Sequence, residues 1–199
     1  MEITMDQIKE LREKTSAGIS DCKKALEACN GDLDKAVEEL RKKGLATAQK
    51  KAGRATNEGV VEAYIHHDGK LGVLLELNCE TDFVAKTDEF RELAKQIAMQ
   101  IAIDSPLYID RENVPEDILE AEKAIYREQL KKENKPDHII EKILEGKMDA
   151  FCKSICLMDL PTIRDAKKTI HQLIQESIGT IQENISVRRF SRFRIGEDE

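Results

Sequence analysis

An α+β fold is predicted by three observations on the sequence. Two strand-like runs, 60–67 and 70–77, flank Asp68-Gly69, a pair that tolerates the positive φ angles of a tight hairpin. A third run, 185–195, alternates polar and apolar residues as a strand does. Most of the remaining chain repeats apolar residues at helical spacing. The third run is expected to return to the hairpin, giving a three-stranded antiparallel sheet packed with helices and preceded by a small helical bundle.

The bundle occupies 1–44 and reads as three short helices. Thr4-Met5-Asp6-Gln7 fits a capping box, and Ile8 and Leu11 then share a face. Gly18 ends the first helix and Ser20 caps the second, where Cys22, Ala25, Leu26 and Cys29 recur. Asn30-Gly31 breaks the chain and Asp32 caps the third helix. Leu33, Ala36, Val37 and Leu40 mark its inner stripe, and Gly44 terminates it. So small a unit has too little interior for a catalytic pocket and is a docking module by default. Leu11 and Ile19 fit either its interior or its docking surface. Residues 45–57, rich in Ala and Lys with Lys50, Lys51 and Arg54, read as a partly helical linker with a solvated charged face.

The core spans 58–199. The second run of the hairpin, Leu71–Leu77, is apolar enough to be the central strand. His66 and His67 flank the turn and point to opposite faces, so they are surface residues and not a chelating pair. Next comes Asn78-Cys79-Glu80-Thr81-Asp82-Phe83-Val84-Ala85-Lys86, then a long helix marked by Phe90, Leu93, Ala94, Ile97, Ala98 and Ile101. Phe83 stands out because it follows three polar residues in a connection. A phenyl ring there either folds back as a staple or projects as an anchor; buried aromatics are the norm, so the residues alone favour the staple. A loop at 105–113 leads to a helical hairpin, 115–133 and 136–157, closed by Leu160-Pro161. A last helix over 166–183 turns Ile170, Leu173, Ile174, Ile178 and Ile181 inward.

Composition narrows the function. A net charge of -7 argues against a protein whose main task is gripping nucleic acid, and aromatics for base stacking make up only 4%. No apolar run approaches the roughly 20 residues needed to cross a bilayer. Met1-Glu2-Ile3-Thr4 lacks the pattern of a secretory signal, so the cytoplasm is expected. The five cysteines are expected to be reduced and buried. Neither a nucleophile–base arrangement, a phosphate loop nor metal-ligand spacing is present among His66, His67, His138, His171 and the cysteines; no enzyme, cofactor or metal is expected. An RNA-binding reading through Lys50, Lys51, Arg188, Arg189, Arg192 and Arg194 competes with a plainer one, a charged edge strand.

Three stretches resemble the elongation factor Ts family. They are Leu11-Arg12-Glu13-Lys14-Thr15-Ser16-Ala17-Gly18-Ile19-Ser20-Asp21-Cys22-Lys23-Lys24-Ala25-Leu26, Asn78 to Lys86, and Glu183-Asn184-Ile185 through Val187-Arg188-Arg189-Phe190. Ser16 and Gln182 stand where the family pattern has Gly. Longer members carry a second core subdomain and a coiled coil; this chain resembles the short form. The resemblance implies a UBA-like fold for the bundle, a core that dimerises and drives exchange, and a homodimer forming a 2:2 complex with elongation factor Tu. Phe83 would enter the partner's GTPase domain and disturb its Mg2+ site, with Asp82 beside it and Thr81 and Val84 holding the turn. Leu11, Arg12 and Ile19 would dock on the same domain. No membrane or nucleic-acid partner is implied.

Overall fold

The computed structural model describes residues 3–15, 17–132 and 136–197; Ser16 lies outside them. The chain opens with α1 (Met5–Thr15), α2 (Ile19–Ala28) and α3 (Leu33–Lys51). The Thr4 capping box forms as the sequence predicts: the Thr4 N–H donates to Gln7 Oε1 at 3.0 Å, and the Gln7 N–H donates to Thr4 Oγ1 at 3.3 Å. Asp32 caps α3 by accepting from the Lys35 N–H. Helix α2 starts two residues earlier than predicted, with Gly18 in extended backbone at its N-cap and Ser20 inside the first turn. Ile8, Leu11, Cys22, Ala25, Leu26 and Ala36 form the bundle interior.

Gly44 does not end α3. The helix runs through it to Lys51, so the first half of the 45–57 segment is regular helix. The physical reason lies on another helix, α8 (Ile170–Ile181): the two cross at Gly44 and Gly179, where the backbones come together without side chains between them. Glycine inside a helix costs about 1 kcal/mol against alanine, a cost accepted here for close approach.

The sheet follows the sequence reading. Strands β1 (Glu58–Ile65) and β2 (Leu71–Cys79) pair antiparallel around a turn at Asp68-Gly69, and β3 (Ile185–Arg194) pairs antiparallel on the other side of β2. Between β2 and β3 lie a one-turn helix α4 (Asp82–Ala85), α5 (Asp88–Asp104), the hairpin α6 (Glu116–Lys132) and α7 (Asp137–Ile155), and then α8. Val73, Leu75 and Leu77 of β2 face Phe90, Leu93, Ile97 and Ile101 of α5 and Ile170, Ile174 and Ile178 of α8 in one continuous core. Alternation along β2 leaves Leu74 on the far side, where Val61 and Ile65 of β1 and Phe193 of β3 are also exposed.

Helix α8 begins four residues later than predicted because a second capping box, Thr169 with Gln172, sets its start. It ends at Gln182, whose backbone is left-handed at φ 64° and ψ 27°. That conformation is unfavourable for any residue with a Cβ and easy for glycine. Gln182→Gly is therefore expected to stabilise the protein by roughly 0.5–1 kcal/mol, read as a raised urea midpoint with unchanged slope; a lowered midpoint would contradict the strain assigned to this cap.

Candidate functional site

The connection after β2 alternates sharply between anchored and free residues. Thr81 is extended and caps α4, its Oγ1 accepting from the Val84 N–H at 3.4 Å. Val84 packs on the main core and Ala85 is buried. Asp82 is half-buried and accepts a 2.6 Å bond from Lys86 Nζ one turn later. Phe83 lies between these anchors with 78% of its surface exposed. The staple reading of its ring is overturned: Val84 and Ala85, not Phe83, turn inward from this short helix.

What holds the turn is a pair of reciprocal carboxylate contacts. Glu183 accepts from the Glu80 N–H at 3.1 Å, the Thr81 N–H at 2.9 Å and the Thr81 hydroxyl at 2.6 Å. Glu80 in return accepts from the Asn184 N–H at 2.7 Å and from Arg54 at 3.3 Å. Asn184 is buried and its amide donates to the Arg54 carbonyl at 2.8 Å. Three distant stretches, the end of α3, the end of β2 and the start of β3, are thus tied at one corner, directly below Phe83. Cys79 joins them through a 3.2 Å thiol contact to the Thr81 carbonyl, and burial pushes its thiol up to about 11.

Glu80, Glu183, Asn184 and Arg54 were not among the sequence-predicted site residues. Each contact joins residues far apart in the chain, so no local spacing marks it; the Glu-Asn pair beside the last strand was visible only as part of a motif.

In the bundle, Leu11 is fully buried, so it supports the interior and offers no surface to a partner. Its place follows from the helix face it shares with Ile8, opposite Leu26 and Ala36. Arg12 is exposed, and Ile19, the first residue of α2, is 52% exposed. These two are the bundle's accessible members of the predicted set.

Several of the other chemical candidates make contacts within the chain. His67 is exposed and His66 is bonded to Tyr64 at 3.1 Å. Arg189 pairs with Glu76 at 2.6 Å, and Arg192 and Arg194 both meet Glu197. The cysteines are free thiols, and burial raises Cys156 to about 11. Among the described residues no group of three or more His, Cys, Asp or Glu could hold a metal ion, and no helix is long and apolar enough to cross a membrane.

The sequence model of a family described as Elongation factor TS matches residues 2–197. The chain belongs to the elongation factor Ts family. It is 57% identical to an elongation factor Ts of Thermotoga neapolitana over 198 residues, covering 100% of both chains. It is also 58% identical to one of Thermotoga maritima over 197 residues, 99% of this chain and 98% of that one. A third, from Thermodesulfovibrio yellowstonii, is 56% identical over 199 residues. As a member of the elongation factor Ts family, the protein is a translation elongation factor and the nucleotide-exchange factor of elongation factor Tu.

The corner below Phe83 should respond to acid. The Asn184 N–H, followed by Arg54, holds the Glu80 carboxyl below its ordinary value of 4.5. A group with a lowered folded pKa contributes stability that is complete above the unfolded value and is lost as the pH falls through the folded one. Glu80→Gln is therefore expected to flatten the acid limb of a stability–pH profile below about pH 4.5 while changing little of its slope at neutral pH. Glu183→Gln should cost about 2 kcal/mol at neutral pH, because an amide cannot accept all three bonds. Urea titrations across pH check both; an unchanged acid limb in the first variant would refute the role given to Glu80.

Proposed function

We propose that Phe83 is the wedge by which this protein loosens nucleotide on elongation factor Tu. The observation that carries the reading is the exposure of that ring on a turn whose neighbours are all anchored. Rigid presentation matters because a partner pocket then gains the ring without first having to order it. Burying a phenyl group is worth about 1.5–3 kcal/mol, so the ring alone supplies one to two tenfold steps in affinity.

The ring enters the partner's GTPase domain beside the groups that hold Mg2+, with Asp82 making a polar contact at the rim. Because that metal bridges the nucleotide's phosphates, its displacement weakens the whole ligand. Exchange is then thermodynamic linkage: whatever this protein costs GDP in affinity, GDP costs this protein equally. No covalent step occurs, so the chain is not an enzyme, and no cofactor is needed. The helical bundle (1–44) docks on the same domain through Arg12 and Ile19, with Leu11 holding the surface from beneath. The core (58–199) carries the wedge, and residues 45–57 join the two. Elongation factor Tu works in the cytoplasm, and this protein meets it there without membrane or nucleic acid.

The same reading includes a homodimer and a 2:2 complex. Its support is the far face of the sheet, where Val61, Ile65, Leu74 and Phe193 lie side by side uncovered. An apolar face of that kind is stabilised by a second copy set against it. Leu74→Glu is expected to convert a dimer into a monomer in size-exclusion with light scattering; a wild-type monomer would reject the dimer.

Phe83→Ala decides the wedge. It should leave thermal stability within about 0.5 kcal/mol, since the ring is outside the fold. It should slow release of a fluorescent GDP from elongation factor Tu about tenfold in stopped flow, which corresponds to a loss of about 1.4 kcal/mol of coupling. Release at the wild-type rate would reject the assignment.

A further inference from the structure

The two interiors of this protein are separate clusters bridged by α3. Ala36 belongs to the bundle interior and Ala48 to the main core, in the same helix. Between bundle and core lies a cleft of about 320 Å³, with Thr15, Gly18 and Val37 on one wall and Thr180 and Gln182 on the other. The angle of the bundle is therefore set where α3 rests on α8. That seat has a steric centre at Gly44 and Gly179. It is flanked by Arg41 of α3, 3.4 Å from Glu176 of α8, which Lys168 also reaches at 2.5 Å. At the far side Lys51 of α3 bonds the Gln182 carbonyl.

The seat is asymmetric. A Cβ added at Gly179 would fall 2.6 Å from the Gly44 Cα and 3.4 Å from its carbonyl carbon. A Cβ added at Gly44 would meet the Gly179 Cα at 3.8 Å, an ordinary contact. Backbone cannot rotate away as a side chain does, so only the first substitution forces the helices apart.

We infer that Gly179 is a positioning residue for exchange: its missing side chain seats α3 on α8 and so aims the docking surface of the bundle relative to Phe83. The inference rests on the wedge-and-dock reading above. A bundle set at the wrong angle can still bind elongation factor Tu, but it then holds Phe83 away from its pocket. Binding and coupling separate, although both surfaces are chemically intact.

The experiment is GDP release from elongation factor Tu measured over a range of factor concentrations, for Gly179→Ala, Gly44→Ala, Glu176→Gln and Phe83→Ala, each with a thermal melt. Gly44→Ala should match the wild type. Gly179→Ala should lower the maximum release rate at saturation about fivefold or more, within the usual span of coupling factors, with a smaller change in the half-saturating concentration. A variant that is only less stable would lose active fraction, and higher concentration would restore its rate. Glu176→Gln loosens the seat without touching the crossing and should lower the maximum in the same direction; it decides the matter if Gly179→Ala does not fold. Wild-type maxima in both Gly179→Ala and Glu176→Gln, or an equal loss in Gly44→Ala, would overturn the inference. A wild-type rate in Phe83→Ala would instead strike the wedge reading on which it stands.

Discussion

Two carboxylates, each accepting bonds from the other's strand of chain, are the constraint on which this structure turns. Glu183 holds the backbone at Glu80 and Thr81, and Glu80 holds the backbone at Asn184. Charge-assisted bonds to backbone N–H groups are shorter and stronger than neutral ones, and here they satisfy donors that the end of β2 would otherwise leave open. The same corner fixes the first turn of α4, the entry of β3 into the sheet and the exit from α3. Thr56 strengthens the junction, accepting from the Asn78 amide at 3.2 Å and bonding Ser186 at 2.8 Å.

That constraint explains how a large aromatic residue can stand in water without disordering its surroundings. Thr81 and Val84 are fixed on either side of Asp82 and Phe83, so the backbone under the ring has little freedom. The inward work is done by Val84 and Ala85, which spares the phenyl group for use elsewhere. Inward packing and outward exposure are thus divided between adjacent residues of one short helix.

Much of this was legible in the sequence wherever the deciding forces were local. Asp68-Gly69 specifies its hairpin through the turn it allows, and Thr4 with Gln7 specifies a helix start through two reciprocal bonds. The stripe from Phe90 to Ile101 points inward because helical spacing dictates it. The failures share one cause. Gly44 looked like a stop because its reason for being glycine sits on α8, far along the chain. Phe83 looked like a staple because the one-turn helix that turns Val84 and Ala85 inward instead is held from Glu183, 102 residues beyond Thr81. Leu11 could not be assigned to interior or surface until Leu26 and Ala36 were seen opposite it. The Asn78–Lys86 motif marked where to look, but the carboxylate pair beneath it needed three dimensions.

The long reach of α3 and the corner contacts bears on how the chain is made. Asn184 bonds to the Arg54 carbonyl 130 residues earlier, and Gly179 is the seat for a helix whose own residues are among the first synthesised. Pairings this remote in sequence close late, after the entropy of a long loop has been overcome. On an emerging nascent chain the C-terminal part of α3, which carries Ala48 into the main core, therefore lacks its packing partner until the last helix has left the ribosome. A ribosome stalled a few dozen codons short would leave α3 with its N-terminal half packed in the bundle and its C-terminal half resting on nothing.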